Sequence, residues 1–198
     1  MATITDFSQL DLSKKYSYAD YLTWQLDEWV ELIKGKVARM SPAPKRIHQR
    51  LSGRLFAETE QYLRGKTCQV YHAPFDVRLS TTHVITNEEI ETVVQPDISV
   101  ICDPAKLDEQ GCIGAPDWII EILSPGSMAR DTKEKFDLYE ENGVKEYWIV
   151  APGEKNISVF VLEGDRYQLV ADFYQPGLIP VRTLADFSIE WGTVFEDL

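Results

Sequence analysis

The sequence predicts a mixed α/β domain, of the α+β kind, in which helices flank a central mixed β-sheet and a helical and hairpin extension precedes it. Two observations carry the prediction. Helical and strand-like apolar periods follow one another along the chain in the order helix, strands, helix, strands. In addition, Gln95-Pro96-Asp97-Ile98-Ser99-Val100 and Asp117-Trp118-Ile119-Ile120-Glu121-Ile122-Leu123-Ser124-Pro125 read as short β-branched and apolar strands, each interrupted by one acid, Asp97 or Glu121. With 198 residues, 44% of them hydrophobic, and no break in composition, one domain is expected over 1–198, with 1–15 a flexible N-terminus.

Taken in order, Tyr18 to Leu32 carries apolar residues at near-helical spacing (Tyr18, Tyr21, Leu22, Leu26, Trp29, Val30) and stops before Gly35, which predicts a first helix with Glu31 at its end. Lys36 to Met40 predicts a strand running into the Ser41-Pro42-Ala43-Pro44 break. Arg46 to Leu63 predicts a second helix, ended by Gly65, with Ile47, Leu51, Leu55 and Tyr62 on its apolar face. Cys68 to Leu79 alternates as a strand does, and Thr81 to Thr92 reads as a polar, acidic connection. Val93 to Cys102 and Trp118 to Leu123 are the acid-bearing strands, and the Pro- and Gly-rich stretch Asp103 to Pro116 between them reads as a loop. Ser127 to Glu141 predicts a helix closed at Asn142-Gly143, where glycine can take a positive φ. Lys145 to Val150, Ile157 to Glu163 and Tyr167 to Phe173 predict a strand and then a hairpin turning at Gly164-Asp165.

A formal net charge of -12 opposes non-specific attraction to nucleic acid, which depends on clustered Lys and Arg. No apolar run is long enough to cross a bilayer and the N-terminus lacks a signal-peptide pattern, so a cytoplasmic protein without a membrane partner is expected. Cys68, Cys102 and Cys112 are odd in number and form no CxxC pair, which predicts reduced, mostly buried thiols.

Ionised carboxylates are rarely placed in a core without a compensating charge. A divalent metal between neighbouring strands supplies one for Asp97 and Glu121, and points to hydrolysis of phosphate esters. An ion pair supplies another: Lys133, Lys135 and Arg130 are the candidate partners of Glu121, while Asp97 equally fits a turn cap or an Arg pair. On the helix after the Glu121 strand, Asp131, Lys135 and Tyr139 fall at i, i+4 and i+8 and share a face, a spacing that also fits an ordinary surface pair of Asp131 with Lys135. A tight Ser124-Pro125-Gly126 connection would start that helix at the carboxyl end of the strand, where an ammonium on Lys135 can orient an attacking water. Glu31 is a further candidate ligand or an exposed helix-end acid, and His48 a phosphate contact or a helix-surface residue.

Together, Pro96-Asp97, Asp117-Trp118-Ile119-Ile120-Glu121-Ile122-Leu123-Ser124-Pro125, then Asp131, Lys135 and Tyr139, and Gly143-Val144-Lys145-Glu146-Tyr147-Trp148, with Glu31-Leu32-Ile33-Lys34-Gly35, Ser41-Pro42 and His48, resemble the bacterial Uma-type putative restriction endonuclease family of the PD-(D/E)XK nuclease superfamily. The likeness runs from Tyr18 to Asp186-Phe187. It implies a restriction-endonuclease-like core with Asp97 and Glu121 as ligands of Mg²⁺ or Mn²⁺. The sequence departs from the superfamily pattern in one place: no Lys stands two residues after Glu121, and the matching position is Lys135 on the following helix, with Lys133 its competitor.

The second helix is the one clearly basic element. Arg46, Arg50 and Arg54 recur every four residues, which fits a phosphate-tracking stripe, with His48 beside it, or a solvated helix face paired with Glu58. The expectation is a Mg²⁺- or Mn²⁺-dependent endonuclease, acting on DNA as a homodimer because cutting both strands takes two sites. In it Asp97 and Glu121 bind metal, Lys135 supports the attacking water, Glu31 adds a ligand, and Asp131 and Tyr139 support the site. The alternatives are a binding or assembly module that keeps the nuclease fold and, more distantly, a phosphodiesterase acting on RNA or a nucleotide.

Overall fold

The computed structural model describes residues 3–40, 45–80, 86–124 and 130–198. Its strands in chain order are β1 (Val30–Ile33), β2 (Lys36–Arg39), β3 (Gln69–His72), β4 (Val77–Leu79), β5 (Thr92–Val94), β6 (Ile98–Ile101) and β7 (Leu107–Asp108). They continue with β8 (Gly111–Ile113), β9 (Trp118–Ile122), β10 (Glu146–Ala151), β11 (Asn156–Glu163), β12 (Arg166–Phe173), β13 (Leu178–Pro180) and β14 (Ser188–Glu190). The helices are α1 (Tyr18–Tyr21), α2 (Arg46–Leu63), α3 (Lys135–Asn142) and α4 (Trp191–Phe195), with a π-helical turn over Arg130–Glu134 leading into α3.

Two six-stranded sheets result, with orders β2-β1-β5-β4-β8-β7 and β12-β11-β10-β9-β6-β3, and β13 pairs with β14. Both are mixed: β9 runs parallel to β10 and β4 parallel to β8, while the other described pairings are antiparallel. The second sheet is central and covered on both faces. Period-two alternation sends Trp118, Ile120 and Ile122 of β9, with Trp148 and Val150 of β10, toward α2, α4 and the β13–β14 ribbon. Ile119, Tyr147 and Ile149 point the other way, into a core shared with α3 and the first sheet. Glu121, of the same parity as Ile119, is thus directed toward α3.

Several expectations change. The helix expected over Tyr18 to Leu32 is a single turn, α1, capped reciprocally by Ser17 and Asp20. Its aromatic residues serve a cluster of Tyr16, Tyr21 and Trp24 rather than a long helical face. Val30 onward is strand, because Lys34 (φ 51°) and Gly35 (φ 82°) both adopt the left-handed backbone of a two-residue hairpin turn that pairs Ile33 with Lys36. The stretch Cys68 to Leu79 divides into β3 and β4, and Asp103 to Pro116 contains the small β7–β8 hairpin. The strand expected over Val93 to Cys102 divides into β5 and β6, which belong to different sheets; Pro96, unable to donate to a ladder, lies at the crossing. Within the N-terminal segment, Leu10 is buried, the Arg39 guanidinium stacks 3.9 Å over the Phe7 ring, and Lys15 pairs with Glu91 at 2.7 Å. The Ser41-Pro42 break, the start of the Thr81 to Thr92 connection and the Ser124-Pro125-Gly126 turn beyond Ser124 lie outside the described residues.

Cys68 and Cys102 form a disulfide, which corrects the expectation of three reduced thiols. They face each other one position beyond the Gln69–Ile101 pair of the antiparallel β3–β6 ladder. Cys112 is free and buried, and burial pushes its thiol up to about 12. Native protein at pH 8 is therefore expected to be inert to a thiol reagent, whereas unfolding without reductant should release the single thiol of Cys112. Three reactive thiols in the unreduced, unfolded chain would contradict the bridge.

Candidate active site

The site is assembled where the two sheets meet α3. Glu31 lies on β1 and is 1% exposed, so the helix-end acid of the sequence reading is instead a core residue. Its Oε1 accepts a hydrogen bond from the backbone N–H of Gln95 at 2.9 Å and lies 2.9 Å from Lys135 Nζ. Glu121, on β9, has Oε1 2.9 Å from the same ammonium and 2.7 Å from the Tyr139 hydroxyl. Lys135 and Tyr139 are one turn apart on α3, and Leu138 beside them anchors the helix to the core. Lys135 therefore bridges two buried glutamates from different sheets.

Burial, and then the charge of Glu121, hold the Tyr139 phenol well above the usual tyrosine range. The phenol keeps its proton and donates a hydrogen bond to the carboxylate. Tyr139→Phe, which removes this charge-assisted bond and little volume, is expected to cost about 1.5–3 kcal/mol in urea-monitored stability. A loss below about 0.5 kcal/mol would contradict that role for the hydroxyl.

Asp97 stands at the crossing between sheets, one position before the Ile98–Ile120 pair and hence opposite Glu121 in the register of β6 and β9. Its Oδ2 accepts from the Ile122 amide at 2.7 Å and lies 3.2 Å from His48 Nε2. The crossing thus does two things: Gln95 holds Glu31 through its amide, and Asp97, two residues on, caps the end of β9. Among the described residues, no three acidic, histidine or cysteine side chains converge into a ready-made metal cage.

Lys133 is exposed, whereas Lys135 is buried on Glu121. The Asp131 side chain lies outside what the structure describes. Of the basic stripe, Arg54 is committed to the Val194 and Glu196 carbonyls at 2.9 and 2.6 Å, while Arg46 and Arg50 are exposed. At about 100° per residue each lies roughly 160° around α2 from His48, so the stripe faces away from Asp97. Sequence reasoning missed Gln95 as a member of the site. Its only hint was the following proline, which favours extended backbone before it.

A family model described as "Putative restriction endonuclease" (Uma2) matches residues 18–192. An uncharacterized protein of Synechocystis sp. is 25% identical over 173 residues, covering 86% of each chain. The crystal structure of a putative nuclease of the DUF820 group from Anabaena variabilis superposes with a TM-score of 0.69 at 20% identity, over 91% of this chain and 97% of that one, which shows a common fold. With the family model spanning most of its length, the chain belongs to the Uma2 putative restriction endonuclease family.

Proposed function

We propose that the protein is a divalent-metal-dependent endonuclease that hydrolyses DNA phosphodiester bonds as a homodimer. The observation that carries this reading is the buried Lys135 ammonium shared by Glu31 and Glu121 at the end of β9, with Asp97 opposite Glu121 in register. Such a constellation is poorly explained by stability alone, since burying charged pairs costs desolvation that hydrophobic residues avoid.

Asp97 and Glu121, opposite each other in register, offer only carboxylate oxygens, the hard donor type that Mg²⁺ and Mn²⁺ take, and these two would hold the ion, with Glu31 holding one of its waters. Bound there, it would supply a water of lowered pKa and a counter-charge for the phosphate. The chain's own groups do the rest. Lys135 stabilises negative charge developing on the phosphate and orients the attacking water. Tyr139 and the Gln95 amide fix the two glutamates, and the Ile122 amide fixes Asp97. His48, 3.2 Å from Asp97, would meet a phosphate oxygen or give a proton to the leaving oxygen as the P–O bond breaks. Arg46 and Arg50 are open to the nucleic-acid backbone on another face of α2.

Incubation of supercoiled plasmid with the protein in millimolar Mn²⁺ should nick or linearise it, and EDTA should stop the reaction. Cleavage that is indifferent to chelator, or absent with every DNA and metal tried, would overturn the reading. One observation favours a second reading, a non-catalytic binding module: Lys135 already compensates both glutamates, as a structural ion-pair network would.

A further inference from the structure

A cleft of about 450 Å³ opens on the other side of Gln95, and its lining includes Trp29, Tyr71, Phe75, Asp76 and Glu109. Its size suits a small planar ligand. Trp29 is 61% exposed, an unusual position for an indole, and Tyr71 stacks on Phe75 with centroids 4.2 Å apart and planes 7° from parallel. These flat apolar surfaces are what a heteroaromatic ring stacks upon.

The charged groups of the cleft are carboxylates, with the side-chain amides of Gln95 and Gln110 beside them. Asp76 is oriented from both sides, with Oδ1 accepting from Gln95 Nε2 at 2.8 Å and Oδ2 from the Tyr18 hydroxyl at 3.1 Å. Each oxygen keeps a second acceptor position. Asp108, also in the lining, is held by Arg78, whereas Glu109 is exposed. This negative lining repels a phosphate and selects a ring whose edge carries N–H donors. Guanine presents two adjacent donors, N1–H and the N2 amino group, to one carboxylate. Backbone comes close here as well: Gly111 (φ 130°) runs so near Asp76 that a Cβ would lie 2.2 Å from its carbonyl oxygen.

We propose that this cleft is a nucleobase subsite that takes an unstacked guanine. Gln95 connects it to the acidic site, since its amide N–H holds Glu31 while its side chain holds Asp76. The proposal rests on the nuclease reading for its biological ligand, and it specifies the substrate as single-stranded or locally opened nucleic acid.

The test is ligand-observed NMR titration of the full chain with guanosine, adenosine, cytidine and uridine, which carry no phosphate. Guanosine should bind most tightly and uridine most weakly, and Trp29→Ala, at an exposed position where folding is not at stake, should weaken guanosine about tenfold. Glu109→Gln provides a second variant, expected to narrow the preference for guanosine over uridine. Equal binding of all four nucleosides, no guanosine binding at millimolar concentration, or saturable binding of N-acetylarginine amide in place of guanosine would overturn the subsite. Plasmid cleavage measured on the same preparations separates the two claims. Cleavage without guanosine binding removes the subsite alone, whereas guanosine binding without cleavage supports the subsite and removes the nuclease reading.

Discussion

Replacing Lys135 by methionine is expected to lower the unfolding free energy by about 3–5 kcal/mol. Methionine preserves most of the side chain's volume, so little of that loss comes from packing. It comes from Glu31 and Glu121, each 2.9 Å from the ammonium and buried with it, which would lose their shared counter-charge. The loss is large against the roughly 5–15 kcal/mol that holds a typical domain together. Neutralising all three positions at once should recover most of it, because the triad acts as a unit and its members do not add independently. The comparison is a urea titration of wild type, Lys135→Met and the triple variant Glu31→Gln, Lys135→Met, Glu121→Gln. A single-variant cost below about 1 kcal/mol would mean that Lys135 does not compensate the two acids.

The second large effect is on activity. Glu121→Gln keeps the side chain's shape and an oxygen to accept from Tyr139 and Lys135, but removes the charge. Mn²⁺-dependent cleavage of DNA should fall by about a hundredfold or more, since outer-shell changes alone cost about 10- to 100-fold at metal sites. Asp97→Asn should act alike, with its bond from the Ile122 amide retained. Retained cleavage in a folded Glu121→Gln protein would place the chemistry elsewhere.

How much of this was legible in the sequence depended on the range of the interactions. Helix α2 agrees with the expected Arg46 to Leu63 at both ends, because its apolar face is written within the segment. Lys135 was readable as a partner of Glu121 because the helix carrying it follows β9 directly and repeats the spacing at Tyr139. Glu31 was readable as a candidate but was misplaced on a helix. The decisive clue, Ile33-Lys34-Gly35-Lys36, is a hairpin turn that the apparent helical period upstream concealed. The joining of Glu31 to Lys135 is a meeting of β1 with α3, elements distant in sequence, and no local pattern encodes it. The same holds for the bridge between Cys68 and Cys102, which an odd cysteine count argued against. The turn of Arg46 and Arg50 away from Asp97 follows from His48 facing that acid, and periodicity alone could not orient the helix.

The central claim is that the acids around Lys135 form a divalent-cation site, and calorimetric titration of Mn²⁺ into wild type and Glu121→Gln tests it most directly. Wild type should show saturable binding that Glu121→Gln weakens at least about tenfold. A folded wild-type protein that takes up no Mn²⁺ at millimolar concentration, or one that binds it equally well in both forms, would contradict the account and leave Glu31, Lys135 and Glu121 as a structural ion-pair network.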